Sequence, residues 1–542
     1  MVKINYKLLP VKAHYFFFMA SMGPILHQLN VFGKQLGVSE IVIGSINAIL
    51  PILFLLAKPL FGLIVDYFRD QRKLVFIVLV CSMNMFYILM YFIPHPPVPV
   101  ISEYKLTNIE FESDFNCRSQ EALAIQGCGE NRQVLCDWTC NNNSNGSSLS
   151  AILTKAESNS TDQFEVCGTK FSEHFNTMEA MKCNFTCVLD KTSDNADCLY
   201  GTPTFWSFVI LMSLGTIGFN VANSISDAIC FDVLGSGGEM GYGMQRVWGT
   251  LGFGVTALLS GLAVDMWSGS SATKDYTPAF LLVLVFGVID FICCLKLELP
   301  VIPRSENIFK DLGKMLRHKH ISIFLVFATF AGITDSFIIY FLFWYLEDLA
   351  SSTGDMMKMK LLEGLVIAAE TLVGEVIFFM LSGKILRLIG YGHSLTLCFL
   401  AYALRLGLVS FITSPWWVLP IELFMQGPSY AMCYTTIVAY ASAVSPPGTS
   451  ATMQGIVAGM DDGFGYAVGS MVGGVLYKWV GGRTAFKLFA GTALTCSIAH
   501  LIVYELFLKK TMIPAGKAQA EYRSPAEAAQ MTQTGSVSPE KV

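Results

Sequence analysis

Residues 41–65 read IVIGSINAILPILFLLAKPLFGLIV; they pass through DYFRDQRK at 66–73 into LVFIVLVCSMNMFYILMYFI at 74–93. As a helix rising about 1.5 Å per residue, each apolar run is long enough to cross a hydrocarbon layer about 30 Å thick. The connector between them holds only a turn, and it gathers Arg69, Arg72 and Lys73 at one end of both runs. Two spans joined by a basic hairpin are the signature of a chain that crosses a membrane more than once.

Outward from this pair the pattern repeats. Apolar runs lie near 13–35, 204–228, 245–267, 278–298, 321–346, 361–382, 393–413, 416–440, 451–477 and 485–507, which with the first two makes twelve expected spans. Composition agrees: of 542 residues 53% are hydrophobic and 14% charged, with 36 Lys and Arg against 41 Asp and Glu. A soluble domain carries roughly 25% charged residues. This chain therefore lacks the charged surface of a soluble enzyme and the basic stripe that a nucleic-acid binder needs. The expected class is an all-α polytopic membrane protein whose solvent is the lipid bilayer.

An even number of spans puts both termini on one side, and basic residues choose the side. Lys3, Lys7 and Lys12 share a face with Arg69, Arg72 and Lys73, with Arg304, Lys310, Lys314, Arg317 and Lys319, and with Lys509 and Lys510. That face is expected to be cytoplasmic, in the plasma membrane or an endomembrane. The first run is followed directly by a second span, so it reads as a retained helix rather than a cleaved leader.

The long loop 94–203 then falls outside. It carries Cys117, Cys128, Cys136, Cys140, Cys167, Cys183, Cys187 and Cys198, and sequons at Asn142, Asn145, Asn159 and Asn184. An even set of cysteines beside glycan acceptors points to disulfides in an oxidising compartment rather than to a metal. The sequence does not choose among the pairings. The seven other cysteines lie within spans and read as small packing residues.

The domain reading follows: a cytoplasmic start (1–12), a first six-span half (13–298) containing the outer loop, a linker (299–320), a second six-span half (321–507) and a polar tail (508–542). In the linker, Ile308, Phe309, Leu312, Met315 and Leu316 are spaced among Lys and Arg, which fits a basic amphipathic helix on the membrane face as well as a solvated connector. Six plus six is the arrangement of transporters built from repeated halves.

The stretch Gly62-Leu-Ile-Val-Asp66-Tyr-Phe-Arg69-Asp-Gln-Arg72-Lys73 resembles the loop motif of the major facilitator superfamily. The resemblance implies that Gly62, Asp66, Arg69 and Arg72 form a cytoplasmic gating motif, with Gly62 allowing close helix approach and Asp66 accepting hydrogen bonds or capping a helix end. The matching place after the eighth span, Ser382-Gly383-Lys384-Ile-Leu-Arg387, keeps the glycine but has Arg where the motif has Asp. Tyr242-Gly-Met-Gln-Arg246-Val-Trp-Gly249 is similar to the start of the fifth helix in lactose-permease-like proton symporters and their animal relatives. Lys12-Ala-His-Tyr-Phe-Phe-Phe, Phe32-Gly-Lys-Gln-Leu-Gly37, Leu50-Pro51 and Ala57-Lys58-Pro59 look like insect members of the animal major facilitator superfamily domain-containing protein 6-like group.

An ionisable side chain at mid-bilayer costs about 2.5–3.5 kcal/mol on insertion scales, so each needs a partner or a purpose. Asp227, Arg246, Asp335, Glu370, Glu375, Arg405, Glu422, Asp461 and Asp462 all fall in spans. The lactose-permease resemblance implies that an acid in helix four and an arginine in helix five, Asp227 and Arg246 here, grip a sugar. Asp335, Glu375 and Arg405 occupy similar places in helices seven to nine. An Arg fork can pair a carboxylate and still donate to a substrate oxygen, and a carboxyl among apolar neighbours can take up and release a proton near neutral pH. For every one of these residues the competing reading is a structural ion pair joining helices. The permease histidine of helix ten has no counterpart in Glu422-Leu-Phe-Met-Gln426-Gly427-Pro428. Lys58 can either bind an anionic solute or, as lysines near helix ends do more often, snorkel to the interface.

Gly455, Gly459 and Gly463, then Gly465, Gly469 and Gly473, recur every four residues, a small-residue pattern that reads as helix packing. Nothing resembles a Walker loop, a paired zinc-ligand motif or a GxSxG elbow, so no cofactor, metal or enzyme activity is expected. The expectation is a monomeric secondary transporter of a small polar solute of the sugar or nucleoside class, with protons as the candidate coupling ion. The candidate substrate and coupling residues are Asp227, Arg246, Asp335, Glu375, Arg405 and Glu422. A surface receptor acting through the Cys-rich loop is the alternative.

Overall fold

The computed structural model describes residues 6–94 except 7, 27, 37 and 39, then the backbone of 133–140, 145–155, 164–167 and 183–189, then 201–512 except 236–237, 269–273, 301–307, 355–358 and 447. Cys117, Cys128, Cys198, Asn142 and Asn159 lie outside the described residues; for the remaining loop cysteines and sequons, and for Arg69, only the backbone is described.

The helices in chain order are α1 (Leu9–Leu26), α2 (Leu29–Gln35), α3 (Glu40–Tyr67), α4 (Arg72–Leu89), α5 (Pro203–Leu234), α6 (Gly243–Ser268), α7 (Thr277–Leu295), α8 (Ile308–Leu316), α9 (Lys319–Thr353), α10 (Met359–Ala369), α11 (Val376–Phe411), α12 (Val418–Gln426), α13 (Met432–Val444), α14 (Ser450–Ala458), α15 (Tyr466–Val480) and α16 (Gly482–Val503). Among the described residues, 8 helical stretches are long and apolar enough to cross a membrane. Their outer faces carry exposed Leu, Ile, Val, Phe and Trp, as a lipid solvent requires. The chain is a multi-pass membrane protein.

The count of 8 differs from the expected twelve because several segments are not continuous regular helices. The Leu362–Phe411 stretch is broken at Gly390, whose φ of 75° and ψ of 171° lie outside helical space and are open to glycine alone. The same stretch and two further segments are widened by π-helical turns, at Glu370–Glu375, Gly427–Ala431 and Gly459–Gly465. In the second, Pro428 brings no N–H to the helix ladder; the third is rich in glycine. Such turns frequently mark functional sites, and these contain Glu370, Glu375, Ser429, Asp461 and Asp462.

The loop between α4 and α5 contributes a four-stranded antiparallel sheet in the order β3-β2-β1-β4, with β1 Gln133–Cys140, β2 Asn145–Lys155, β3 Phe164–Cys167 and β4 Cys183–Leu189. Its register sets Cys136 opposite Cys187 and Cys140 opposite Cys183. This sheet belongs to a compact unit of residues 30–43 and 92–210; residues 44–91 and 211 onward form the other unit together with α1. In the smaller unit Thr204 donates to the Pro94 carbonyl (2.8 Å), and Gly33 lies against Phe208 and Ile43.

The glycine pattern serves two seams in the larger unit. Gly455, Gly459 and Gly463 lie against the backbone of Lys58, Leu55 and Pro51 in α3, and Gly465, Gly469 and Gly473 face Gly332, Ile333 and Phe337 in α9. At Gly455, Gly463 and Gly465 the facing backbone is close enough to leave no room for a side chain. In α8, Leu312 and Met315 are buried, so the apolar stripe of the linker helix is covered by protein.

Candidate functional site

Three networks of buried charge form around these helices. In the first, Asp227 on α5 and Arg246 on α6 approach to 3.6 Å. Asp227 accepts from the hydroxyls of Tyr15 (2.7 Å), Tyr242 (2.9 Å) and Tyr434 (2.5 Å). Arg246 donates to Asn223 (2.6 Å), whose amide donates to the Tyr434 hydroxyl (3.1 Å), closing a ring that returns to Asp227. The guanidinium also sits over the rings of Tyr15 and Tyr434, at 5.5 and 5.2 Å from their centroids. A closed ring of this kind fixes each member's orientation. Tyr434 comes from α13, so the network ties a helix before the linker to one after it.

The second network lies after the linker. Arg405 on α11 makes a two-pronged contact with Glu422 on α12, donating from Nε (3.1 Å) and from Nη2. It further donates to Ser429 (3.2 Å) and to Glu370 (3.4 Å). Arg405 and Glu422 are fully buried, whereas the Glu370 side chain is 18% exposed. Asp335 on α9 accepts from Tyr402 (3.0 Å) and Tyr466. Its partners are thus tyrosines of α11 and α15. Glu375 stands apart from Arg405, accepting from Gln426 (3.0 Å) and from Thr250 of α6 (3.2 Å). That contact again crosses from one half of the sequence to the other.

The third network escaped sequence reasoning. Lys58 in α3 donates to both carboxylate oxygens of Asp462, a partner 404 residues away. Lys58 is 1% exposed and Asp462 21%, so the ammonium does not snorkel to an interface. Pro59, which follows Lys58 within the helix, and the glycines flanking Asp462 are the local signals; nothing in a single sequence joins them.

At one end of α3, Asp66 accepts from the backbone N–H groups of Ala451 (3.3 Å) and Thr452 (2.7 Å) and from the Thr452 hydroxyl (2.6 Å). A carboxylate there satisfies the orphan donors of the first turn of α14 and complements its dipole. Gly62 presses on the Ala451 backbone, and Arg72 pairs with Asp232 of α5. At the second copy of the motif, Gly383 packs on the Met240 carbonyl, and Gly243 on Phe379 and Ser382. His500 lies away from Glu422, bonded to Thr396 (2.7 Å) and edge-on to Phe327.

Around the charged groups, several polar side chains are only half-buried: Asn223, Tyr340, Tyr430, Tyr434, Tyr466, Asp461 and Asp462. Tyr430 and Tyr434 stack at 6.0 Å between centroids, and Tyr340 meets Tyr466 edge-on at 6.3 Å. Tyrosine offers an apolar face and a hydroxyl, the two contacts that a sugar or base ring uses. No sequence signal marked these tyrosines, since their spacing is shared with packing residues.

This architecture has parallels among solved structures. A mutant of the nucleoside transporter NupG aligns over 92% of this chain and 100% of its own, with TM-score 0.51 and 14% identity. A mutant of the E. coli fucose:proton symporter FucP aligns over 91% and 96%, with TM-score 0.52 and 8% identity. The proton:xylose symporter XylE, bound to 6-bromo-6-deoxy-D-glucose, aligns over 95% and 98%, with TM-score 0.53 and 11% identity. At such identities these likenesses speak to the fold alone. In sequence, the chain is 25% identical over 199 residues to the major facilitator superfamily domain-containing protein 6-like protein B of Xenopus laevis, a match spanning 37% of this chain and about a third (31%) of that relative. The MFS_1 like family matches residues 8–488. A match that runs from the first helix into the last settles the question of kinship: the chain belongs to the MFS_1 like family.

Proposed function

We propose that the protein is a secondary transporter that moves a small polar solute of the sugar or nucleoside class by alternating access between two six-helix halves. The observation carrying this reading is that buried polar contacts link helices before the linker to helices after it: Tyr434 to Asp227, Thr250 to Glu375 and Lys58 to Asp462. Hydrogen bonds and an ion pair between halves can be remade on either side of a solute, and half-buried tyrosines beside them supply ring-stacking faces. The solved structures that share the fold carry nucleoside, fucose and xylose transporters in their names, which supports the solute class. Arg246 and Asn223 would hold hydroxyls on one side, with Glu375, Gln426 and Tyr430 on the other. Glu375 would carry the proton of a coupled cycle.

Twelve spans fit this reading. The stretch broken at Gly390 supplies two, α1 with α2 one, and the two pairs divided by π turns, α12 with α13 and α14 with α15, one each. Asp66 and its contacts to α14 serve as a gate on the cytoplasmic face. The outer loop is glycosylated and disulfide-bonded, and the β1–β4 register supports the pairs Cys136–Cys187 and Cys140–Cys183. Opposed antiparallel residues have Cα atoms about 4.5–5.5 Å apart, within the span of a disulfide.

The test is radiotracer uptake of a sugar and nucleoside panel into proteoliposomes, with and without an inward proton gradient. Uptake that is lost in Arg246→Lys and no longer driven by the gradient in Glu375→Gln supports the reading. Absence of uptake for every solute, or Glu375→Gln behaving as wild type, removes the transport or the coupling assignment respectively. The outer sheet favours one other reading, a receptor that binds a partner through this loop. Deleting residues 110–198 would then abolish partner binding while sparing uptake.

A further inference from the structure

A further buried polar cluster lies outside the three networks. His14 on α1, Asp290 and Cys294 on α7 and Ser226 on α5 meet in the interior, all of them buried. His14 Nδ1 lies 2.8 Å from Asp290 Oδ1, and Cys294 Sγ lies 3.3 Å from His14 Nδ1 and 3.9 Å from Asp290 Oδ1. Among the described residues, Asp290 Oδ2 has no hydrogen-bond partner, although it is buried. An idle carboxylate oxygen in an apolar interior is costly.

Hydrogen bonding fixes how the imidazole is presented. The Ser226 hydroxyl donates to the Ala222 carbonyl (2.7 Å), so its oxygen accepts from His14 Nε2 (2.9 Å). Nε2 therefore carries hydrogen, and Nδ1 faces the carboxylate and the thiol. The 2.8 Å contact between Nδ1 and Oδ1 needs one proton on that line. Imidazole, carboxylate and thiol thus converge, with the far ring nitrogen anchored by a hydroxyl. This is the way metal-bound histidines are held.

We propose that His14, Asp290 and Cys294 form a cation site for a borderline-soft divalent ion of the zinc class. In a tetrahedral zinc site, bonds of about 2.0 Å to N and O and about 2.3 Å to S put the sulfur about 3.5 Å from each of the other ligands, and N about 3.3 Å from O. The observed 3.3, 3.9 and 2.8 Å come within about half an ångström of that triangle. Binding balances as M²⁺ in and two protons out, one from the His14–Asp290 line and one from the Cys294 thiol. No change of oxidation state is involved. A mixed N, O and S set suits zinc over magnesium or calcium, which take oxygen ligands. A histidine in the first span and an Asp-x-x-x-Cys in the sixth match no metal motif, so this site is not legible from sequence.

The cluster lies near the ends of its helices. His14 is five residues into α1 (14 − 9), about 8 Å along the axis at about 1.5 Å per residue, and Cys294 is one residue from the end of α7. The start of one helix meets the end of the other, so the cluster lies one to two turns below a single membrane face. The Phe18 and Phe76 rings pack against the imidazole, at 5.3 and 5.2 Å from its centroid.

Co²⁺ titration of the purified full chain in detergent tests this, because a thiolate bound to Co²⁺ gives a sulfur-to-metal charge-transfer band. Wild type and Cys293→Ala should each bind a single Co²⁺ with that band, and Zn²⁺ should displace it. Cys294→Ser should lose the band while keeping the wild-type elution on size exclusion. Ser226→Ala, which frees the imidazole without touching a ligand, should weaken binding by about 10–100-fold. No band in wild type, or an equal band in Cys294→Ser, overturns the proposal. Should Cys294→Ser aggregate, His14→Gln decides: an undiminished band overturns the site, and its loss with at least tenfold weaker Co²⁺ binding supports it.

Discussion

Arg405 and Glu422 form the most fully buried ion pair of the second network, and buried pairs behave asymmetrically. Removing one partner leaves a stranded charge. Glu422→Gln or Arg405→Met should each destabilise the purified protein by about 3–5 kcal/mol, read as a fall in thermal midpoint. The double variant Arg405→Met with Glu422→Met should recover most of that stability and no uptake. A double variant as unstable as the singles would show that Ser429 and Glu370, rather than the pair, set the cost. Lys58→Met should be milder, about 1–3 kcal/mol, because Asp462 is 21% exposed and water can reach it. The same thermal assay checks this. At this scale, the sequence disclosed which residues carry charge in the membrane, and the Tyr242-to-Gly249 resemblance put Arg246 near Asp227. It did not disclose that Asp335 is held by tyrosines, that Glu375 and Arg405 have separate partners, or that Lys58 finds Asp462. Those facts depend on helix rotation and on neighbours hundreds of residues away.

Helices were legible wherever an apolar run was unbroken. α3 follows the run at 41–65 to within two residues at each end, and α5 follows the run at 204–228 but continues to Leu234. Breaks within a run were not legible, since π turns reuse ordinary helix-forming residues and only Pro428 and the glycines of 459–465 hint at them. The four-residue glycine spacing was read as packing, and the structure supplies its two partners, α3 and α9. This gives a paired prediction. Gly455→Ala puts a methyl group onto the Lys58 carbonyl and should cost about 1–3 kcal/mol. Gly491→Ala, in α16 with open space around it, should be neutral or stabilise by about 0.5–1 kcal/mol. Thermal midpoints of the two variants measured side by side decide it; equal falls would mean that the seam tolerates separation.

For the whole molecule, the basic residues that share a face with Arg72 and Lys310 predict that epitope tags at both termini stain only after cells are permeabilised, whereas deglycosylation of intact cells shifts the mobility of the chain. A tag accessible on intact cells would reverse the orientation. Peptide mapping without reductant should recover Cys136 joined to Cys187 and Cys140 joined to Cys183, the pairs opposed in the sheet; recovery of other pairs would refute the register.

α14 and α15 together form a doubly grooved helix. Side chains are springs: they change rotamer and yield by degrees. Where bare backbone rides on bare backbone, as at Gly455 on Lys58 and Gly332 on Asp461, there is almost nothing to compress. Such a joint is either seated or parted, and its motion should be abrupt rather than graded. Because Asp461 and Asp462 ride on the same helix, unseating the joint would shift both acids in one stroke.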